Sequence, residues 1–145
     1  MNIVLASSSP RRKELMEMLD VKDLKILPAT GEEIPPEHAS GPERVKALAM
    51  AKAREVAARC AAEDVVIEAD TIVWVDGRPF GKPHSEEEAA AMLHRLSGDC
   101  HTVYTGVAVL HGGTETVEYE ESRVWFRALS EGEIARYIAT GEPLD

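Results

Sequence analysis

Residues 3–5, Ile-Val-Leu, form a short apolar run that Ser7-Ser8-Ser9 interrupts before a helical pattern begins, so the chain is expected to start as strand, turn and helix. Ser9 suits the N-cap and Pro10 the first helical position, and Leu15, Met18 and Leu19 are expected to form the helix's apolar stripe. Residues 24–27 read as a second strand, and 28–40, with Pro35-Pro36, as an exposed connection. Gly41-Pro42-Glu43 opens an alanine-rich helix predicted to reach about Ala62, with Pro42 at its first position. Residues 65–75, Val-Val-Ile-Glu-Ala-Asp-Thr-Ile-Val-Trp-Val, are the most strand-like stretch. They are apolar on both faces at both ends, which predicts a central strand.

Asp76-Gly77 is a hairpin turn that returns the chain through Arg78-Pro79-Phe80 to Gly81-Lys82-Pro83. Ser85-x-x-Glu88 and Ser130-x-x-Glu133 read as capping boxes. The first opens a helix with Ala89, Met92, Leu93 and Leu96 inward, ended by Gly98; the second opens a last helix with Ile134, Tyr137 and Ile138 inward. Between them lie predicted strands at 102–110, 116–119 and 123–126, the first two joined by Gly112-Gly113. Helices alternating with strands and hairpins predict an α/β fold, a mixed β-sheet flanked by helices. A length of 145 residues, 44% of them hydrophobic, suits a single domain over 1–145.

Four placements of charge stand out against this frame. Arg11 and Arg12 fall at the second and third helical positions, where the N–H groups and dipole of a helix already present positive charge. Such a pair either caps a solvated surface helix or receives an anion, and strand, polar turn and helix start together make a phosphate site. Lys52 is the second. Advancing about 100° per residue from Val45 brings Leu48, Ala49, Val56 and Cys60 onto one stripe, and Lys52 lands at its centre. A lysine there either snorkels outward or needs an anion; Arg59, in the last turn, snorkels. Third, Glu68 and Asp70 lie two apart on a predicted strand and project from one face. Inside an apolar run they call for a metal, a cation or a solvated bulge. Finally, the hairpin is expected to bring Lys82 back towards that acidic middle.

Charge and composition narrow the chemistry. Sixteen Lys and Arg against 26 Asp and Glu leave a formal charge of −10, which opposes binding to nucleic acid or an anionic membrane. Any phosphate ligand therefore depends on a local cluster of cations. No Walker A string occurs. The two cysteines, Cys60 and Cys100, lack metal-ligand spacing and are read as structural. The histidines lack zinc spacing too: His101 is expected to be a hydrogen-bonding strand residue, and His38, His84, His94 and His111 surface residues. With no signal-peptide pattern and no run of about 18 apolar residues, the expectation is a soluble, cytoplasmic protein. Hydrolysis at an α-phosphorus suits this set, with Mg²⁺ or Mn²⁺ on Asp70 and cations holding the leaving pyrophosphate. Asp70 as base beside a separately bound metal, and Asp70 as metal ligand, both satisfy the sequence.

In order along the chain, Ala6-Ser7-Ser8-Ser9-Pro10-Arg11-Arg12, Ala51-Lys52-Ala53, Ala69-Asp70-Thr71-Ile72-Val73, Gly81-Lys82-Pro83, and Leu96-Ser97-Gly98 through His101 to Thr105-Gly106 resemble the Maf family of nucleotide pyrophosphatases. The resemblance runs from Ile3 to Asp145. It implies a Maf/inosine-triphosphatase-like fold and metal-dependent hydrolysis of a nucleoside triphosphate to monophosphate and pyrophosphate. It makes Asp70 the proton acceptor, brings Ser7, Arg11 and Arg12 to the triphosphate with Lys52 and Lys82 adding charge, and ties Arg11 and Thr71 to base choice. Asp70-Thr71 resembles the dTTP/UTP branch; the 7-methyl-GTP branch usually shows Asp-Gln. Glu68 stands where relatives commonly carry a small residue, as an extra metal contact or a peripheral substitution. Relatives continue past the position of Asp145 into an Ala-Gly-Ala-Tyr-Gly-Ile-Gln segment whose glutamine bears on specificity. That difference leaves open a homodimer that completes the site, or a catalytically weak nucleotide-binding regulator of cell division acting in septum formation.

Overall fold

A computed structural model describes residues 1–21, 23–31 and 39–141; the expected loop around Pro35-Pro36 and His38 lies outside the described residues. Strand β1 (Ile3–Leu5) has a parallel neighbour on each side, β2 (Lys25–Ile26) and β3 (Val65–Val75). Helix α1 (Pro10–Met18) links β1 to β2, and α2 (Gly41–Ala57) links β2 to β3. The two crossovers step in opposite directions across β1, so right-handed connections put α1 and α2 on opposite faces of the sheet. The chain continues through β4 (Arg78–Phe80), α3 (Glu86–Leu96), β5 (Cys100–His111), β6 (Thr114–Trp125) and α4 (Glu131–Ala139). Strand order is β2-β1-β3-β5-β6, with β4 paired antiparallel to Val73–Val75 of β3. Among the described residues this is a mixed sheet of six strands flanked by four helices, as expected, and β3 is its middle strand.

The chain forms two compact units, Met1–Thr71 with Thr105–Glu120, and Ile72–Tyr104 with Glu121–Asp145. Strands β3, β5 and β6 pass from one into the other. The first unit is built on the buried stripe of α2, Ala49, Ala53 and Val56, against Val4, Ala6, Val66, Ala108 and Leu110. Small residues on α2 allow close approach to the sheet, and Gly106 of β5 takes this to its limit. A Cβ at Gly106 would lie 2.4 Å from the Val45 carbonyl oxygen. The second unit has its own core, where Ala89 of α3 packs with Ile134 and Ile138 of α4.

Several expectations need correction. Leu15, Met18 and Leu19 are 59, 80 and 71% exposed, and Met16 is the buried residue of α1. The helix packs through the face that carries Met16, which turns Leu15 and Met18 away from the core, and it ends at Met18 and turns through Asp20 at φ 58°. Ser40, not Gly41, caps α2, which places Pro42 at its second position. That helix stops at Ala57 rather than about Ala62, because the Asp64 carboxylate accepts hydrogen bonds from the Ala61 and Asn2 amides and fixes the turn into β3. The segments 116–119 and 123–126 are one strand, β6. Its acidic stretch is exposed along nearly its whole length, which removes the cost that suggested a break. Ser85 caps α3, but Glu88 accepts from the His84 amide rather than from its cap residue, whereas Ser130 and Glu133 form the complete capping box. Tyr137 is 42% exposed, bordering an apolar cavity of about 270 Å³ lined also by Phe80, Met92 and Leu96.

His101 is buried, yet its Nδ1 has no hydrogen-bond partner among the described residues, contrary to expectation. Its ring stands edge-on to Phe126 at 5.3 Å, and burial lowers its pKa. His84, His94 and His111 are exposed, and Cys60 and Cys100 are free thiols.

Candidate active site

The β1–β3 ladder ends at Leu5↔Ile67, followed by the Ala6 amide donating to the Ile67 carbonyl. There the chain of β1 leaves for α1 while β3 continues, no longer flanked by β1, into Glu68, Ala69 and Asp70. Because α1 and α2 depart to opposite faces, this is the point where the strand order reverses, and the carboxyl ends of the strands border a crevice. The chemistry-bearing residues of the first unit gather at it.

Ser9 caps α1 as expected, its hydroxyl accepting from the Arg12 amide, with Pro10 at the first helical position. The cap fixes the first turn, and the Arg12 side chain folds back towards the sheet. Its Nη1 donates to Ser7 Oγ at 3.3 Å and lies 3.8 Å from Glu68 Oε1, while Nη2 donates to Thr71 Oγ1 at 3.3 Å. Ser7 is itself buried and also accepts from the Ser9 amide. Thr71 Oγ1 in turn lies 3.0 Å from Thr105 Oγ1. Arg11, one position earlier, is exposed.

From the other side, α2 delivers Lys52 to Asp70, Nζ to Oδ1 at 3.6 Å. The lysine at the centre of an apolar stripe thus has an anion. Asp70 is only partly buried, but Glu68 is 2% exposed. Its carboxylate accepts from the Ala69 amide at 2.8 Å and has Arg12 beyond it. Burial pushes its pKa up to about 7, with Asp70 adding repulsion, against the opposing pull of the Ala69 amide, Lys52 and Arg12.

The first unit therefore brings together Ser7, Arg12, Lys52, Glu68, Asp70 and Thr71. Lys82, exposed, belongs to the second unit. Thr105 was missing from the expected set; its signal in the sequence is a hydroxyl residue beside the Gly106 that α2 abuts. No cluster of three or more His, Cys, Asp or Glu side chains arranged to hold a metal occurs among the described residues. What the protein offers is a two-carboxylate edge, and Glu68 is a hard oxygen donor whose burial a cation would relieve. Such a set suits Mg²⁺, which commonly takes one or two carboxylates and fills its shell with substrate phosphates and water.

Comparison with known proteins identifies the family. The family model described as Maf-like protein matches residues 2–145. The chain is 48% identical to the dTTP/UTP pyrophosphatase of Pelotomaculum thermopropionicum, over 98% of this chain and 74% of that protein. It is 48% identical also to the dTTP/UTP pyrophosphatase of Moorella thermoacetica, over 99% and 74%. Among solved structures, a nucleoside-triphosphatase/dITP/XTP pyrophosphatase from Mycobacterium abscessus superposes with a TM-score of 0.56 at 20% identity, covering 86% of this chain and 74% of that one. A HAM1 protein from Coxiella burnetii does so at 0.59 and 17%, covering 86% and 72%. These two likenesses are of fold. With a family model spanning nearly every residue and relatives matched over almost its full length, the chain belongs to the Maf family.

Proposed function

We propose that this protein is a nucleoside triphosphate pyrophosphatase acting on dTTP and UTP, converting each to its monophosphate and pyrophosphate. The observation that carries the reading is the paired arrangement in the middle of β3. Two cations from two helices, Arg12 and Lys52, meet two carboxylates from one strand, Glu68 and Asp70. Named relatives of close to half-identical sequence supply the substrate class.

In the proposed reaction Asp70 accepts a proton from water as the water oxygen bonds to the α-phosphorus. The bond from that phosphorus to the bridging oxygen breaks, and its electron pair leaves on pyrophosphate. Arg12 and Lys52 take the phosphate charge, and Ser7 and Thr71 hold the guanidinium fork that makes planar, paired contacts to phosphate oxygens. Arg11 adds positive charge, and Arg11 and Thr71 bear on base choice. A divalent cation against Glu68 and Asp70 would supply Lewis-acid stabilisation of the phosphate and acidify its water. Arg12 and Lys52, which pair with these carboxylates, are the cations within reach of the phosphate chain.

The test is a nucleotide panel with Mg²⁺, followed by pyrophosphate detection. dTTP and UTP are expected to turn over fastest and to yield pyrophosphate with the monophosphate. Orthophosphate with the diphosphate would overturn the reading, and nucleotide binding without any turnover would favour a regulator.

A further inference from the structure

We propose that Thr105 is a positioning residue for the phosphate chain. Its hydroxyl fixes the orientation of Thr71 and, through Thr71, of the Arg12 guanidinium. The inference rests on the nucleotide-hydrolase reading of the same site.

A threonine hydroxyl has one proton to donate and two lone pairs to accept with. At Thr71 one lone pair takes the Arg12 Nη2 donor, at 3.3 Å, and Thr105, at 3.0 Å, takes one of the two capacities left. Whichever threonine donates between them, the Thr71 side chain is held by a partner on each side. Thr71 is exposed, so without Thr105 its hydroxyl would turn to water and to its other staggered positions. Arg12 would then keep its Nη1 contact to Ser7 and lose the contact that fixes the opposite arm of the fork.

Thr105 can serve as a reference because its own backbone is fixed. Its neighbour Gly106 lies against the first turns of α2, where an added Cβ would meet the Val45 carbonyl oxygen at 2.4 Å and the Lys46 nitrogen at 2.9 Å. The same helix carries Lys52 about two turns further on. The dipeptide Thr105-Gly106 thus registers both cations: Gly106 seats the helix that brings Lys52, and Thr105 orients the threonine that holds Arg12. Preorganised donors lose less freedom when a ligand arrives, which appears as affinity.

Titration calorimetry with inorganic pyrophosphate tests the inference on wild type, Thr105→Val, Thr105→Ser and Thr71→Val, and on the Thr71→Val/Thr105→Val double variant. Thr105→Val is expected to weaken pyrophosphate binding about fivefold, the worth of one modest hydrogen bond. Thr105→Ser is expected to bind within about twofold of wild type, and the double variant no more weakly than Thr71→Val alone. In turnover with UTP, KM is expected to rise in Thr105→Val while kcat holds. Thr105→Ala carries the same expectation should the valine variant fail to fold. Wild-type affinity in the valine or alanine variant, a serine variant as weak as the valine one, or additive losses in the double variant would overturn the inference. Pyrophosphate binding by wild type without pyrophosphate release from UTP would refute the reaction alone and leave the binding comparison to decide on Thr105.

Discussion

Glu68 on β3 and Glu133 on α4 carry the same carboxylate in opposite surroundings. Glu133 closes the capping box of α4, accepting from the Ser130 amide and from Arg127, and these hydrogen bonds hold its pKa down to about 2. Its charge is fully answered by the protein. Glu68 is buried with one amide bond and a cation at 3.8 Å, and its pKa rises to about 7. Its charge is under-compensated by the fold itself. The first arrangement stabilises a helix terminus; the second leaves a buried charge that the fold only partly compensates. The difference separates a carboxylate used for structure from one whose perturbed environment marks a candidate functional site.

The comparison breaks most severely at Asp70. Asp70→Asn is expected to lower turnover by about 10²- to 10⁴-fold while the protein still melts cooperatively; wild-type turnover would remove Asp70 from the chemistry. Glu133→Gln, by contrast, is expected to leave kcat unchanged. Next in size is Lys52→Met, expected to raise KM for UTP by about tenfold or more through loss of a phosphate-facing cation, read from steady-state kinetics.

The stability predictions carry opposite signs. With a folded pKa above the ordinary carboxylate value, Glu68 in the metal-free protein retains a proton that the unfolded chain releases, between about 4.5 and about 7. Its stabilising contribution is present below that window and is lost as pH rises through about 7. Arg12, Lys52 and Asp70 are the charged groups that face it. Glu68→Gln should therefore raise metal-free stability at pH 8 by something on the order of 2–3 kcal/mol, measured by denaturant melts, and flatten the slope below pH 7. Glu133 behaves in reverse: its contribution is present above the ordinary carboxylate pKa and is lost as pH falls through about 2. Ser130→Ala, which removes the cap, is the smallest effect, expected to cost about 1 kcal/mol.

Much of this contrast was legible in the sequence. The bounds of β3 were read correctly because eleven residues of mostly β-branched and apolar character leave no other element available. The place of Lys52 on the stripe of α2 leaves it either to snorkel or to meet an anion, and Asp70 is that anion. The capping box of α4 was likewise visible in Ser130-x-x-Glu133. What the sequence could not show depends on strand order and on ends. The crevice at β1 and β3 exists because α1 and α2 step to opposite sides, which no local pattern encodes. The expected stripe of α1 has the right residue types on a face that turns away from the core, where Met16 is buried instead. Thr105 meets the site through Thr71, a partner 34 positions away; the Thr105-Gly106 pair is visible in the sequence, but its partner is not.

If Asp70, in the acidic middle of β3, directs water onto the α-phosphorus, hydrolysis of UTP in ¹⁸O-labelled water, with products read by mass spectrometry for wild type and Asp70→Asn, will show it. The label is expected in the nucleoside monophosphate, with little labelled product from the variant. Label in the pyrophosphate, or undiminished labelling by Asp70→Asn, would contradict it.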